Sequence, residues 1–272
     1  MNKKTRLDVY LAEHNISDSR EKAKREIIAG WVKVDGETIR VPSQTVTGIE
    51  NIIVQRPGGI FVSRGGEKLE KALIDFNIDV NGKTILDLGS STGGFTDCLL
   101  KKGAEKVYAV DVGYGQLDYR LRQDTRVVVM ERTNARNLTK DSFKNRIDLI
   151  TADLSFISIV KVVAHLVTIF RNVDSILLIK PQFEAEYGQH KKGVVRNKTS
   201  HIDILKEVLP ALAETGVVVH NLTFSPITGP KGNIEFLCHC TINPDSNITN
   251  QSLQQIFDSI DTIVNDAHNY FL

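Results

Sequence analysis

Residues 84–100 read TILDLGSSTGGFTDCLL: a buried strand, a turn with three glycines, and the start of a helix. The same grammar repeats to the end of the chain. Strands are expected near 84–88, 106–111, 126–130, 147–152, 175–180, 216–224 and 233–241, with helices near 93–102, 156–170, 200–214 and 249–266. Strand–helix alternation at this spacing predicts a parallel, doubly wound sheet. Only the short turn SPITGPKGN separates the last two strands, so they are expected to pair antiparallel. That gives a seven-stranded α/β sheet whose last strand is reversed.

The first 56 residues obey a different pattern. In ISDSREKAKREIIAGWVKVDGETI, Ser17 or Asp18 can cap a helix along which Ala23, Ile27 and Ile28 recur, and Gly30 can stop it. Val32 and Val34 alternate with polar residues, Asp35-Gly36 is a hairpin turn, and Thr38 to Val41 can return. Another short strand is expected from Ile49 to Val54. Arg20 and Lys24 share a helix face, with Glu21 and Glu26 softening its charge. The domains are expected at 1–56 and 68–272, joined by a glycine-rich linker at 57–67.

Composition narrows the classes of function. No apolar run approaches the roughly 20 residues of a membrane span, and the basic start MNKKTRLDVYLAEHN lacks the apolar core of a signal peptide. Three cysteines make a poor disulfide framework, so a cytoplasmic protein without membrane partners is expected. On a strand, Cys238 and Cys240 share one face and His239 points to the other, which favours core packing, and no metal site is expected.

In a sheet of this kind ligands bind at the carboxyl ends of the strands. Gly89, Gly93 and Gly94 allow close backbone approach there, with Ser91 in the same turn. Their spacing, G-x-x-x-G-G, is not the G-x-G-x-x-G of a dinucleotide fold. Asp111, 22 residues beyond Gly89, ends the next strand and can accept hydrogen bonds from two ribose hydroxyls. Asn134, after the third strand, is placed for the edge of an adenine.

The stretch LLIKPQFE poses a puzzle, because a buried strand ends in an ammonium group, Lys180, with a carboxylate, Glu184, four residues on. Topology suggests an answer. Asp153 ends strand four and Lys180 ends strand five, so both reach the edge beside the glycine loop. A reversed final strand begins at that edge and brings in Glu235, and Lys68 can approach from the side.

Several motifs together carry a resemblance that spans essentially the whole chain. RLDVYLAEHNISDSREKAKREIIAGWVKVDG resembles the small RNA-binding domain first named from a small-subunit ribosomal protein. SRGGEKL, DLGSSTGGFTDCLL, DLSFIS, IKPQFE and GNIEF, with Lys-Asp-Lys-Glu in that order, resemble the ribose 2′-O-methyltransferases related to FtsJ. The combination resembles the TlyA family, long labelled haemolysin, with Phe61 where the family often has tryptophan. The resemblance implies a Rossmann-like methyltransferase fold, S-adenosylmethionine as cofactor, and ribosomal RNA or ribosomal subunits as partner. It implies methylation of a cytidine 2′-hydroxyl in 16S or 23S rRNA by a tetrad of Lys68, Asp153, Lys180 and Glu235, with Asp153 also near the cofactor.

Within that tetrad Lys180 is the expected general base, since an uncharged amine can take the proton of a ribose hydroxyl. Burial and a second ammonium, Lys68, both favour the uncharged form. Arg6, Arg20, Lys22, Lys24, Arg25, Lys33 and Arg64 are the expected RNA contacts, with Lys191 and Lys192 in the loop after strand five. Phe156 or Phe183 can stack on an extruded base. The alternatives are a base methyltransferase, whose Asp/Asn-Pro-Pro-aromatic segment DLSF matches only in part, and a non-catalytic RNA-binding or haemolysin-like protein.

Overall fold

The computed structural model describes residues 4–14, 16–17, 19–48, 50–54, 61–184, 193–245 and 250–271. Asp18, Lys191 and Lys192 lie outside these residues. The chain forms two compact units, Met1–Ile60 and Phe61–Leu272.

In the small unit, strand β1 (Thr5–Arg6) leads into helices α1 (Leu7–Glu13) and α2 (Arg20–Ile28). Strands β2 (Val32–Val34), β3 (Glu37–Ile39), β4 (Thr45–Val46) and β5 (Ile52–Val54) follow. The central β2 pairs antiparallel with β3 and β5, and β1 pairs with β4. Asp35 and Gly36 both have positive φ, 51° and 88°, as a two-residue hairpin turn of this hand requires. Leu7, Leu11, Ala23, Ile27 and Val32 form a fully buried core. Ser19, not Ser17, caps α2 by accepting the Lys22 N–H at 3.2 Å. Ser17 instead donates its hydroxyl to Glu26 at 2.5 Å, and both are buried. Glu26 therefore does not soften the basic surface of the helix, as its position in the sequence suggested.

The large unit opens with α3 (Gly65–Asp75), β6 (Thr84–Leu88), α4 (Gly94–Lys101) and β7 (Lys106–Val110). It continues with α5 (Tyr119–Gln123), β8 (Val127–Met130), β9 (Leu149–Ala152), α6 (Ile159–Ile169) and β10 (Val173–Ile179). Then come α7 (Pro181–Glu184), α8 (Lys198–Glu214), β11 (Val217–Phe224), β12 (Phe236–Ile242) and α9 (Asn250–Phe271). The seven strands lie in the order β8-β7-β6-β9-β10-β12-β11. β12 runs antiparallel to both neighbours, and every other pair is parallel. The expected fold, with its last strand reversed, is the observed one. One apolar layer joins the sheet to α6, α8 and α9, and the other joins it to α3, α4 and α5.

Cys238 and Cys240 are fully buried in the first layer, as the alternation of β12 predicted. Among the described residues no group of His, Cys, Asp and Glu side chains assembles for a metal, and no helix is long and apolar enough to cross a membrane. Two short helices, α5 and α7, were not foreseen. Pro181 ends β10 but also opens α7, a position where proline's missing N–H costs nothing.

Candidate active site

Strand order reverses at β6, which lies between β7 and β9, and ligands bind outside the strand ends at such a point. A cleft of about 420 Å³ opens there, within the range of small-molecule sites. One wall is the turn after β6, with Gly89, Ser90, Ser91, Thr92 and Gly94. The other is formed by Asp153, Ser155, Lys180, Lys68 and Arg64, with Ile227–Gly229 beside them.

The glycines meet protein on their own account. A Cβ on Gly89, which has φ of +80°, would lie 2.3 Å from the Asp153 carbonyl oxygen, and one on Gly94 would lie 2.3 Å from Ser63 Oγ. Gly93, at φ +97°, would strike Leu121 at 2.2 Å. The turn is thus clamped between the β9 loop, the segment before α3 and α5. Below it, Asp87 is completely buried and accepts the hydroxyls of Thr96 (2.6 Å) and Thr151 (2.9 Å). Burial pushes its carboxyl up to about 6, against the pull of those hydrogen bonds.

Asp111 stands just beyond the end of β7. Its carboxylate accepts the backbone N–H of Ser91 at 2.9 Å and of Gly113 at 2.7 Å. Both oxygens are oriented by backbone, and each retains a lone pair for a ligand hydroxyl. Asn134 follows Thr133, whose N–H bonds the Asp111 carbonyl at 2.9 Å. Its side-chain oxygen accepts the Arg136 N–H at 3.0 Å and caps the short turn Ala135–Asn137. Asp111 and Asn134 are not among the residues lining the cleft, but a carboxylate fixed by two backbone N–H groups at the end of β7 fits the hydroxyls of a nucleoside-bearing cofactor.

The four tetrad positions come together as two ion pairs. Lys180 Nζ lies 2.5 Å from Asp153 Oδ1 and donates to Ser155 Oγ at 3.0 Å. Lys68 Nζ donates to Glu235 Oε2 at 2.5 Å. Both lysines are 7% exposed and Glu235 is fully buried. The sheet explains the meeting. β9 and β10 pair Ala152 with Leu177, and β10 and β12 pair Ile179 with Phe236, so Asp153, Lys180 and Glu235 all flank the same edge. Each ammonium faces its own carboxylate, so Lys68 is balanced by Glu235 as well as standing near Lys180. A Cβ on Gly229 would lie 2.2 Å from Glu235 Oε1, so the loop before β12 closes tightly over that carboxylate.

Sequence reasoning passed over two partners of this cluster, Ser155 and Gln182, and singled out Glu184 without finding its partner. Gln182 donates to Glu235 Oε1 at 3.1 Å. Glu184 accepts the Ile159 N–H at 2.8 Å, which answers half of the LLIKPQFE puzzle. Burial raises its carboxyl above the ordinary range, against that hydrogen bond. All three lie inside segments already singled out, but residue type alone gave no partner across 25 or more positions. Phe156 and Phe183 pair at 5.1 Å between ring centroids. Phe156 is 91% exposed with φ of +65°, a strained backbone for a bulky residue.

The basic residues of the small unit are not equivalent. Arg6 and Arg20 converge on one buried carboxylate: Asp8 accepts Arg6 through two bonds of 3.0 Å and Arg20 Nε through another. Arg6 above all, with Arg20, holds the Asp8 carboxyl down at about 2. Both arginines keep about half of their surface in solvent. Lys24 pairs with Glu21 at 2.6 Å, Arg25 is exposed, and Lys22 and Lys33 are half-buried. In the large unit, Arg64 is exposed at the mouth of the cleft. The segment before α8 is anchored where Asn233 accepts the Val195 N–H at 3.0 Å.

The family model of FtsJ-like methyltransferases matches residues 61–241, and the S4 domain model matches residues 5–52. The chain is 48% identical to a candidate rRNA methyltransferase of Bacillus subtilis, YqxC, over 87% of this chain and 85% of that one. It is 40% identical to the 16S/23S rRNA (cytidine-2′-O)-methyltransferase TlyA of Mycobacterium tuberculosis, over 93% of this chain and 96% of that one. A solved structure of a candidate hemolysin from Streptococcus thermophilus matches with a TM-score of 0.77 at 38% identity, covering all of this chain and 98% of that one.

Proposed function

The chain belongs to the TlyA family of FtsJ-like methyltransferases, and from that membership we propose that it methylates the 2′-hydroxyl of a cytidine in ribosomal RNA. The methyl donor is S-adenosylmethionine, which supplies an electrophilic methyl on a sulfonium. Asp111 would hold its ribose, and the turn from Gly89 to Gly94 would border its methionine portion, with Asn134 near the adenine and Asp153 near the reacting end.

Lys180 carries the proton chemistry in this reading. Asp153 and Ser155 orient its amine at the cleft edge, and that arrangement is the observation on which the reading rests. Lys180 Nζ would take the proton of the ribose hydroxyl, a role worth roughly 10²–10⁴-fold, while the cofactor would supply a methyl that leaves its sulfonium as a neutral thioether. Lys68, fixed by Glu235, lines the same cleft and would help to position the ribose. The buried pairs also fix geometry, and an in-line displacement draws much of its rate from positioning. The target nucleotide would leave its helix to reach the cleft, and Phe156, exposed with φ of +65°, would stack on it.

The S4-type unit would grip folded rRNA through phosphate contacts, with Arg6 and Arg20 at their centre and Lys22, Lys24, Arg25 and Lys33 around them. Arg64 would contact the RNA at the cleft, and the natural substrate would be a ribosomal subunit. The test is methylation of purified ribosomal subunits and of bare rRNA with labelled cofactor, followed by mass-spectrometric mapping. The expected product is a 2′-O-methylcytidine. A methyl on a base would refute ribose transfer, and cofactor binding with no transfer to any rRNA substrate would refute the function.

A further inference from the structure

α6 begins without a cap of its own. Ser158 stands at the capping position, but its side chain accepts no backbone N–H. The Ile159 N–H is taken instead by Glu184, 25 residues further along, at 2.8 Å. A carboxylate is well matched to the positive end of an 11-residue helix. The hydrogen bond also joins two particular segments. Residues 153–158 leave β9 carrying Asp153 and Ser155, and residues 180–184 leave β10 carrying Lys180.

Those segments meet at three levels. Nearest the sheet, Lys180 Nζ contacts Asp153 and Ser155. In the middle, the rings of Phe156 and Phe183 lie against each other. At the far end stands Glu184 with Ile159. The middle level is weak as a fastener, because Phe156 is 91% exposed and its backbone has φ of +65°. Glu184 is therefore what closes the loop at its outer end.

We propose that Glu184 is a positioning residue for methyl transfer, latching the Asp153–Ser158 loop so that Asp153 and Ser155 hold the Lys180 amine in place. The inference rests on the reading of Lys180 as the base. Glu184 touches neither substrate nor cofactor in this scheme. Its carboxylate acts through the loop, bonding the Ile159 N–H and the Ser158 side chain, and an amide can meet both groups.

The test compares Glu184→Ala with Glu184→Gln in the full chain at a temperature where both remain folded. Glu184→Ala should lower kcat by about 10- to 100-fold, the scale of a small misplacement in a positioned site, while KM for rRNA and Kd for S-adenosylmethionine change by less than about threefold. Glu184→Gln keeps an acceptor and should restore kcat to within about threefold of the wild type. Hydrogen exchange read without substrate should show faster exchange at residues 153–159 in the alanine variant only. Wild-type kcat in a folded Glu184→Ala protein, or wild-type exchange at 153–159, overturns the latch, as does a glutamine variant no better than alanine. If Glu184→Ala does not fold, Glu184→Asp, which draws the acceptor back by one methylene, takes its place: lowered kcat with faster exchange at 153–159 supports the latch, and wild-type values of either overturn it. Wild-type protein that methylates no ribose defeats the functional reading instead, and the exchange experiment still decides whether the latch exists.

Discussion

The two units of this chain use charge in opposite ways. In the small unit two arginines share one buried carboxylate, Asp8, and leave net positive charge in solvent. In the cleft of the large unit two lysines each face a carboxylate, and three of the four side chains are almost completely buried. Exposed, unbalanced charge acts at a distance and weakens with salt. Buried, balanced charge does little at a distance, but it holds the paired atoms in one geometry. Binding should therefore answer to the first region and turnover to the second, with little crosstalk. Lys180 variants should move turnover and leave binding alone, and Arg6 and Arg20 variants should do the reverse.

The largest separation is expected at Lys180. Lys180→Ala should lower kcat by about 10²–10⁴-fold with cofactor affinity nearly unchanged, measured by single-turnover transfer and calorimetry. Lys180→Arg is the sharper variant, since a guanidinium cannot give up its proton in a protein. It should keep the charge and remain inactive. Next comes the buried pair beside it. Lys68→Met leaves Glu235 in the interior without its ammonium partner and with only the Gln182 amide described beside it, a loss of about 3–5 kcal/mol in urea unfolding. Pairing Lys68→Met with Glu235→Gln should recover most of that stability but no activity. Full recovery of activity would mean that the pair is structural only.

Asp87 offers a smaller effect with a definite sign. Its folded value of about 6 lies above the ordinary 3.8. Between those values the folded state binds more protons than the unfolded one, so this group makes stability fall as pH rises from about 4 to about 6. Above that window the burden is complete, at about 3 kcal/mol for a shift of this size. Asp87→Asn should flatten the slope of unfolding free energy between pH 4 and pH 6. A slope unchanged from wild type would mean that the carboxylate is charged throughout and held by its two threonines.

These groups differ in how visible they were in the sequence. The sheet was legible because each strand is a run of apolar residues bounded by turns, and strand–helix alternation implies parallel pairing. Asp153 and Lys180 were legible because a charge that ends an apolar strand has nowhere to go but the sheet's edge. Glu26 and Glu184 were not. Each is a carboxylate whose partner, Ser17 or Ile159, is set by how segments fold back on one another. The two-residue strands β1 and β4 were missed because two residues carry no period. The glycine turn was found, but the atoms that demand its glycines, in Asp153, Ser63 and Leu121, lie on other segments.

The smallest effect bears most directly on the contrast between the two regions. Arg6→Ala and Arg20→Ala should each weaken rRNA binding a few-fold and lower the slope of log K against log salt by roughly 0.7–0.9 for each phosphate that is no longer neutralised, with kcat at saturating RNA unchanged. Asp8→Asn then separates charge from geometry. It removes a negative charge from the binding face, so if net charge alone governs, affinity should rise. It also removes the carboxylate that holds Arg6 and Arg20 on one side of α1 and α2. If their alignment matters, affinity should fall although the charge balance improves. Filter binding at several salt concentrations, on protein shown to be folded by circular dichroism, decides between these outcomes. Alignment is the expected winner, because one carboxylate fixes both guanidinium groups and so sets the spacing of the phosphates they can meet.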